Sequence, residues 1–165
     1  MTQRFTSAST SINATRLPAV YKRQDVRQSD TLLDYGCGRY TAHIKAALPN
    51  TTYLAYDPYN QPDEVNSHTL SAVLKAMETH SRVNVVCSNV LNVIDSDDVV
   101  RSIADRIQAV IRATGGTAFI TVYEGNRSGI GKQTGSDQYQ RNEPLRNYLR
   151  FFRNAKIETG TIVIS

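Results

Sequence analysis

The stretch Thr31-Leu32-Leu33-Asp34-Tyr35-Gly36-Cys37-Gly38-Arg39 decides how this chain is interpreted. Its first five residues have the apolar and aromatic character of a strand, and the two glycines that follow mark a tight turn. The pattern predicts that the turn opens a helix over residues 41–48. Glycine lets a bound molecule approach the main chain closely, and the start of a helix offers unpaired N–H groups. The stretch therefore predicts a ligand site.

An acidic residue follows at a distance that narrows the class of ligand. Asp57 ends the next apolar run, Tyr53-Leu54-Ala55-Tyr56. In nucleotide-binding folds an acid about 20 residues after the glycine turn accepts hydrogen bonds from ribose hydroxyls. A glycine turn alone also serves for packing, but together with the spaced acid it favours an adenosine-containing cofactor.

Strands and helices alternate along the chain. Strands are predicted at 31–35, 51–56, 83–87, 117–123 and 157–164, and helices at 19–27, 41–48, 67–80, 95–112 and 144–154. In the helix at 67–80, the spacing of Leu70, Val73, Leu74 and Met77 predicts a side that faces a core. The alternation predicts an α/β fold: a Rossmann-like, mainly parallel sheet with helices on both faces.

The length of 165 residues suits one domain, which we place at residues 14–165 after a flexible N-terminal arm at 1–13. The composition is that of an ordinary globular protein. No apolar run approaches the roughly 20 residues that span a bilayer. The Ser- and Thr-rich start lacks the apolar core of a secretion signal, so we expect a cytoplasmic location. Cys37 and Cys87 have no partner at disulfide or metal-ligand spacing, so no metal is predicted.

The net charge of +4 is unevenly distributed. Residues 125–156 hold seven basic residues against two acidic ones. Polyanions such as nucleic acid fit such a region, although a solvated basic face is the commoner explanation.

The polar segment 124–142 has no obvious element, which in a compact domain indicates function or disorder. It contains a basic, aromatic and amide-bearing set: Arg127, Lys132, Tyr139, Gln140 and Arg141. Such side chains can hold backbone phosphate and stack on a base, while a mobile solvated loop is the alternative. Glu124 could orient an acceptor amine or remove a proton, or it could be a structural carboxylate.

Four segments are predicted to meet at one edge of the sheet. In an open parallel sheet, ligands bind beyond the carboxyl ends of the strands, where the winding direction reverses. The glycine turn, Asp57, Ser88-Asn89 and Tyr123-Glu124 would all lie there. The placement of all four segments at one edge is stronger evidence for a ligand site than any one segment alone.

Three of these segments resemble the class I S-adenosylmethionine-dependent methyltransferases. Residues 32–38 resemble the family's first motif, Asp57 its ribose-binding acid, and residues 88–94 its strand-four loop. The chain looks closest to small methyltransferase-like proteins of phages, prophages and DNA-modification clusters, including those associated with DNA phosphorothioation. The likeness covers Arg16 to the C-terminus.

The resemblance implies S-adenosylmethionine as the cofactor and methyl transfer as the function, with nucleic acid the favoured acceptor. The backbone at 36–38 would hold the methionine part, Asp57 the ribose, and Ser88-Asn89 the sulfonium side. Asn89 and Glu124 are the candidate catalytic residues. The full implied cofactor-binding set is Asp34, Tyr35, Gly36, Cys37, Gly38, Asp57, Pro58, Ser88, Asn89 and Val90.

The chain departs from the family's pattern in two places. Tyr40 stands where a third glycine is common, and the segment between Asp57 and Val83 holds one helix with little room for a further strand. The resemblance therefore implies a sheet abbreviated relative to the family's full seven strands, and an uncovered edge would allow a homo-oligomer. Two alternatives stay open: a non-catalytic methyltransferase-like module that contacts nucleic acid or a protein, and a small-molecule methyltransferase.

Overall fold

A computed structural model describes residues 3–7 and 15–165. Within them the chain forms an α/β fold around a six-stranded, mostly parallel sheet, which confirms the predicted fold class at this level. The predicted N-terminal arm lies outside the described residues at 1–2 and 8–13, and residue 14 is not described either.

The elements follow the predicted alternation. The strands are β1 (Thr31–Tyr35), β2 (Thr52–Tyr56), β3 (Asn84–Ser88), β4 (Ala118–Thr121), β5 (Lys132–Gln133), β6 (Tyr139–Gln140), β7 (Ala155–Glu158) and β8 (Thr161–Ile164). The α-helices are α1 (Gln24–Arg27), α2 (Ala42–Ala47), α3 (Asp63–Thr79) and α4 (Asp97–Thr114). Short 3-10 helices cover Ala19–Lys22, Leu91–Val93 and Leu145–Phe151.

The order of strands in the large sheet is β2-β1-β3-β4-β8-β7. The first four are parallel, whereas β8 runs antiparallel to both β4 and β7. The chain winds outward from β1 to β2 and then crosses back to β3, so the winding direction reverses between β1 and β3. This reversal sets the place where a ligand is expected.

Two predicted elements near the C-terminus differ in form from those in the structure. The strand at 157–164 is a hairpin, because Thr159 and Gly160 both take positive φ (47° and 71°) and turn the chain between β7 and β8. Consecutive positive φ values characterise the tight turn whose twist suits a hairpin. The helix at 144–154 is the 3-10 helix Leu145–Phe151.

The two long helices agree with their predictions to different degrees. In α4 the Ser96 hydroxyl accepts a hydrogen bond from the backbone N–H of Val99, and the helix ends at Thr114 before Gly115, two residues beyond the predicted end at 112. In α3, which begins at Asp63, the prediction that Leu70 and Leu74 face a core was wrong, since they are 48% and 59% exposed.

The sheet buries apolar side chains on both faces, as predicted. One face packs α3, α4 and the 3-10 helix Leu145–Phe151 against alternate residues of the central strands. The other face, which includes Val86 and Phe119, packs against Ala19–Lys22, α1 and α2.

Candidate functional site

A cavity of about 380 Å³ lies at the carboxyl edge of the sheet, where the winding reverses between β1 and β3. Its volume is within the range of ligand pockets, about 300–1,000 Å³. Nine of the ten residues that were predicted to bind a cofactor line it: Tyr35, Gly36, Cys37, Gly38, Asp57, Pro58, Ser88, Asn89 and Val90. The fold thus gathers three segments that are far apart in the sequence.

The glycine turn is held by the strands on either side of it. The backbone N–H groups of Gly36 and Cys37 both donate to the carbonyl of Tyr56, at 2.7 and 3.2 Å. Gly36 has φ +76°, and a Cβ at this position would lie 2.4 Å from a methyl carbon of Val90. Gly38 also has φ +76° but faces open space. The turn therefore needs glycine at position 36 for packing as well as for its backbone angle.

Asp57 organises the edge of the cavity through its carboxylate. One oxygen accepts hydrogen bonds from the backbone N–H groups of Tyr59 and Asn60, at 2.9 and 3.0 Å. The other accepts from the N–H of Gly38 at 3.0 Å and from the Asn60 amide at 3.2 Å. A carboxylate offers about four lone-pair sites, so all of them are in use. Asp57 thereby fastens the glycine turn to the turn after β2.

Asn66, on the first turns of α3, completes this arrangement and was not predicted. Its amide oxygen accepts from the backbone N–H of Asp57 at 3.0 Å, and its amide nitrogen donates to the Asp57 carbonyl at 2.9 Å. The side chain is buried. Asn66 precedes the helix predicted at 67–80, so the sequence pattern gave no signal for it.

Asp34 does not line the cavity, although it was predicted to bind the cofactor. It is 1% exposed, and its two oxygens accept hydrogen bonds from the hydroxyls of Tyr21 and Tyr53. Burial raises the pKa of Asp34 to about 6, against the lowering effect of the two tyrosine bonds. The side chain instead ties the 3-10 helix Ala19–Lys22 to β2 beneath the glycine turn.

We expect Asp34→Asn to change how stability depends on pH. The folded protein keeps the Asp34 proton up to about pH 6, whereas an unfolded Asp loses it near 3.9. The folded state therefore binds more protons between these values, and its stability falls as the pH rises through this window. Asparagine removes this term, so the variant should gain roughly 2 kcal/mol relative to wild type between pH 4 and pH 7. Urea unfolding of both proteins across this range measures it.

The exposed helix residue Asp63 provides the control for that comparison, because Asp63→Asn makes the same change of side chain at an exposed position. A difference between wild type and Asp34→Asn that stays flat across this pH range would contradict the assignment of the proton to Asp34.

Aromatic rings and a guanidinium group form another part of the lining. Tyr35 and Tyr56 lie with their ring centroids 5.0 Å apart. Burial raises the pKa of Tyr35, while the hydrogen bond from the Arg106 guanidinium works to lower it. Burial also raises the pKa of the Cys37 thiol, which therefore stays protonated at neutral pH and is unsuited to act as a nucleophile.

The loop after β3 supplies the third side of the cavity. Asn89 has φ +58°, a conformation that only a few per cent of non-glycine residues adopt. Its backbone N–H donates to the carbonyl of Thr121 at 2.9 Å, and the Thr121 hydroxyl bonds the Ser88 hydroxyl at 2.9 Å. The exposed side chain of Asn89 is thus presented at the cavity by a fixed backbone.

Residues 3–7 also line the cavity, through Gln3, Thr6 and Ser7. Phe5 is 5% exposed and stacks on Tyr139 with ring centroids 5.4 Å apart. The backbone N–H of Ser7 donates to the carbonyl of Asp137 at 3.0 Å. The described part of the predicted arm therefore packs on the loop that contains β5 and β6. Its isolated Phe in a polar stretch was the only sequence signal.

Cationic side chains in the lining were also missed. They are Arg16, Arg39 and Arg106, with His43 beside them. They come from the N-terminal region, the glycine turn, α2 and α4, and no local motif connects them. Only the fold shows that they share a cavity.

The other predicted site residues lie outside the cavity. Glu124 accepts a hydrogen bond from the backbone N–H of Leu145 at 2.6 Å and forms an ion pair with Arg127. The Leu145 bond is the main cause that lowers the pKa of Glu124. The carboxylate thus caps the 3-10 helix Leu145–Phe151. This geometry corresponds to the alternative in which Glu124 is a structural carboxylate.

The remaining members of the basic and aromatic set serve different purposes. Tyr139 stacks on Phe5, and Gln140 accepts from the Asn92 amide and donates to the Tyr123 carbonyl. Lys132 is exposed and has no ion pair among the described residues. The set is therefore not one continuous contact surface.

Arg141 is 7% exposed and is bonded on all sides. Its guanidinium donates to the Ile94 carbonyl at 2.8 Å, to Glu143 at 2.9 Å and to Asp97. Partial burial works to raise the pKa of Glu143, but hydrogen bonds from Arg150 and Arg141 hold it below its usual range. The group is occupied within the fold and does not face solvent.

Much of the late basic charge is paired. Of the seven basic residues in 125–156, four form ion pairs with carboxylates: Arg127, Arg141, Arg150 and Lys156. Several of these carboxylates, such as Asp97 and Glu158, lie outside that range of sequence. The basic excess counted along the chain is therefore larger than the excess on the folded surface.

Comparison with known proteins gives no match: no family model, curated protein or solved structure is similar to this chain. Across residues 3–7 and 15–165, none of the helices combines the length and the apolar character that a membrane span requires. The same residues contain no group of three or more His, Cys, Asp or Glu side chains placed to hold a metal ion.

Proposed function

We propose that the chain is a Rossmann-like domain that binds S-adenosylmethionine in this cavity and transfers its methyl group. One observation carries the proposal: the glycine turn, Asp57 and the 88–90 loop meet around one cavity where the winding reverses. The order β2-β1-β3-β4 corresponds to the inner strands of the dinucleotide-binding order 3-2-1-4-5-6, without its outer third strand. Six strands fit the expected abbreviated form of the family's sheet.

The lining offers a distinct role to each part of such a cofactor. Its methionine part would lie along the backbone at 36–38, and its sulfonium side against Ser88 and Asn89. The rings of Tyr35 and Tyr56 offer an apolar surface for the adenine base. Asp57 contributes mainly by fixing the two turns, and it would bond a ribose hydroxyl by exchanging one of its present partners.

Methyl transfer in this proposal depends on alignment more than on proton transfer. Holding an acceptor atom in line with the activated methyl supplies much of the rate enhancement. Asn89 remains the candidate catalytic residue, because it lines the cavity on a fixed backbone. We propose no catalytic role for Glu124, since its carboxylate caps the 3-10 helix Leu145–Phe151.

Nucleic acid was the favoured acceptor because of the basic charge at 125–156, and four of those seven residues form ion pairs. The support that remains comes from residues without an ion pair among those described, such as Lys132, Arg146 and Arg153, and from Arg16 and Arg106 of the cavity. We keep nucleic acid as an acceptor within this proposal, and a homo-oligomer as a further prediction.

We expect the folded protein to bind S-adenosylmethionine, or its demethylated product S-adenosylhomocysteine, with a Kd in the micromolar range or tighter. A micromolar Kd corresponds to a binding free energy of about −8 kcal/mol. Isothermal titration calorimetry measures it directly. Incubation with methyl-labelled cofactor, followed by separation of DNA, RNA, protein and small-molecule pools, should then place the label in one pool. Folded protein that gives no binding heat with either ligand would overturn the cofactor proposal.

A non-catalytic module that binds the cofactor is the second candidate. Two observations favour it: the Asp57 carboxylate already accepts four hydrogen bonds, and Tyr40 lines the cavity in place of the usual glycine. Cofactor binding without label in any pool would select this candidate over the methyltransferase.

A further inference from the structure

One part of the cavity lining lies outside the residues assigned to the cofactor. It consists of Ser7, Arg16, Arg39 and His43, which we call the cationic wall. These residues come from the N-terminal region, the glycine turn and α2, and the wall contains no carboxylate. Its side chains are donors and cations, so it is suited to an anion.

The charge of the whole lining favours the same conclusion. Two of the lining guanidinium groups, those of Arg16 and Arg106, stand against one lining carboxylate, that of Asp57, whose lone pairs are in use. S-adenosylmethionine is itself a cation, because it carries a sulfonium and an ammonium group against one carboxylate. A concave site with an excess of positive charge attracts anions. A second, negatively charged molecule would therefore neutralise the positive charge that remains in the cavity when S-adenosylmethionine is bound.

Two polar atoms of the wall are buried and have no hydrogen-bond partner among the described residues. They are the hydroxyl oxygen of Ser7 and Nδ1 of His43. Leaving such an atom unpaired costs about 1–3 kcal/mol, and native structures rarely do so without a reason. A bound oxyanion could accept a bond from the Ser7 hydroxyl, and from Nδ1 when the imidazole carries two protons.

The wall is held in place on both sides. The His43 Nε2 lies 3.2 Å from the carbonyl of Arg16, to which it donates, so the backbone of Arg16 is tied to α2. The Ser7 backbone is tied to Asp137, and Phe5 beside it is stacked on Tyr139. These contacts present the side chains without help from a ligand, which is the condition for a preformed site.

We propose that the cationic wall binds the phosphate group of the methyl acceptor; this rests on the proposed function. Arginine matches the planar edge of an oxyanion with two parallel hydrogen bonds. A phosphate group offers three acceptor oxygens, so it can meet Arg16, Ser7 and His43 from different directions, whereas a carboxylate offers two. The phosphate could belong to a small phosphate ester or to the backbone of a nucleic acid.

The test measures phosphate binding by equilibrium dialysis of the full chain, with and without saturating S-adenosylhomocysteine. The probes are thymidine 5′-monophosphate, thymidine as the ligand without phosphate, and a short single-stranded oligonucleotide without a terminal phosphate. Arg16→Gln should weaken phosphate binding about tenfold, the effect of one charge-assisted bond. Arg112→Gln, an exposed change in the last turn of α4, makes the same change of charge far from the cavity and should have little effect.

Saturable binding of the monophosphate but not of thymidine, weakened about tenfold in Arg16→Gln and unchanged in Arg112→Gln, would support the wall as a phosphate site. Additional binding of the oligonucleotide would identify nucleic acid as the source, and its absence a small phosphate ester. No saturable binding of either phosphate probe, while S-adenosylhomocysteine binds, would overturn this inference and leave the proposed function intact. Loss of S-adenosylhomocysteine affinity in Arg16→Gln, with phosphate binding unchanged, would also overturn it. Phosphate binding by a protein that binds no S-adenosylhomocysteine would contradict the proposed function instead.

Discussion

Arg141→Met is expected to lower the free energy of unfolding by about 3 kcal/mol, the lower end of the cost of breaking a buried ion pair. The lower end applies because Asp97, one of its two carboxylate partners, is half exposed. The change would leave the Ile94 carbonyl without its Arg141 donor, and Glu143 would keep only its hydrogen bonds from Arg150. Methionine fills similar volume, so the effect reports the lost bonds more than a cavity. Urea unfolding monitored by circular dichroism measures it.

Lys132→Met gives the matched control for Arg141→Met. The two residues lie on the same loop and carry the same charge, and both were predicted from the sequence to contact nucleic acid. Lys132 has no ion pair among the described residues, so its change should stay within about 0.5 kcal/mol. Equal stability of the two variants would contradict the structural role given to Arg141.

Asp57→Ala is expected to weaken binding of S-adenosylhomocysteine by about 100-fold, or nearly 3 kcal/mol. The alanine leaves the backbone N–H groups of Gly38, Tyr59 and Asn60 without their acceptor. Bonds from a charged acceptor are worth roughly 1.5–3 kcal/mol each, and the glycine turn would no longer be fastened to the turn after β2. Calorimetry on folded variant protein measures the loss.

Asp57→Asn separates the two ways in which Asp57 could act. Asparagine keeps one acceptor oxygen but puts an amide donor where the other oxygen was, so one of the two turns stays fastened. If Asp57 acts by fixing the turns, this variant should lose clearly less affinity than Asp57→Ala. Asp63→Ala, an exposed change on α3, should bind like wild type. Full affinity in Asp57→Ala would show that the carboxylate neither fixes the turns nor touches the ligand.

The carboxyl-edge site was predictable because its signals are local. A strand, two glycines and a spaced acid are read directly along the chain, and parallel strands then bring their ends together. Nine of the predicted residues share the cavity for this reason. Asp34 was predicted to bind the ligand because the sequence does not show on which face of β1 its side chain lies. In the fold it lies on the face where the hydroxyls of Tyr21 and Tyr53 bond it.

The residues that sequence reasoning missed depend on contacts between distant segments. Arg16 and Arg106 meet in one cavity only through the fold, and the pairing of Arg141 with Asp97 joins positions 44 residues apart. Charge counted along a chain cannot show such pairing. The hairpin of β7 and β8 was missed for another reason, because Thr159 takes a positive φ that its residue type rarely adopts.

The packing of Phe5 on Tyr139 bears on how fast a ligand exchanges. Residues 3–7 form part of the cavity lining, so this segment has to move for any molecule that passes beneath it. Motions of loops and chain termini take nanoseconds to microseconds, but breaking a buried aromatic contact makes each opening less frequent. The association rate of such a molecule would then level off at high concentration, at the frequency with which Phe5 leaves Tyr139. Phe5 is not among the residues that line the cavity, so a side chain without contact to the ligand would limit how fast the ligand binds and leaves.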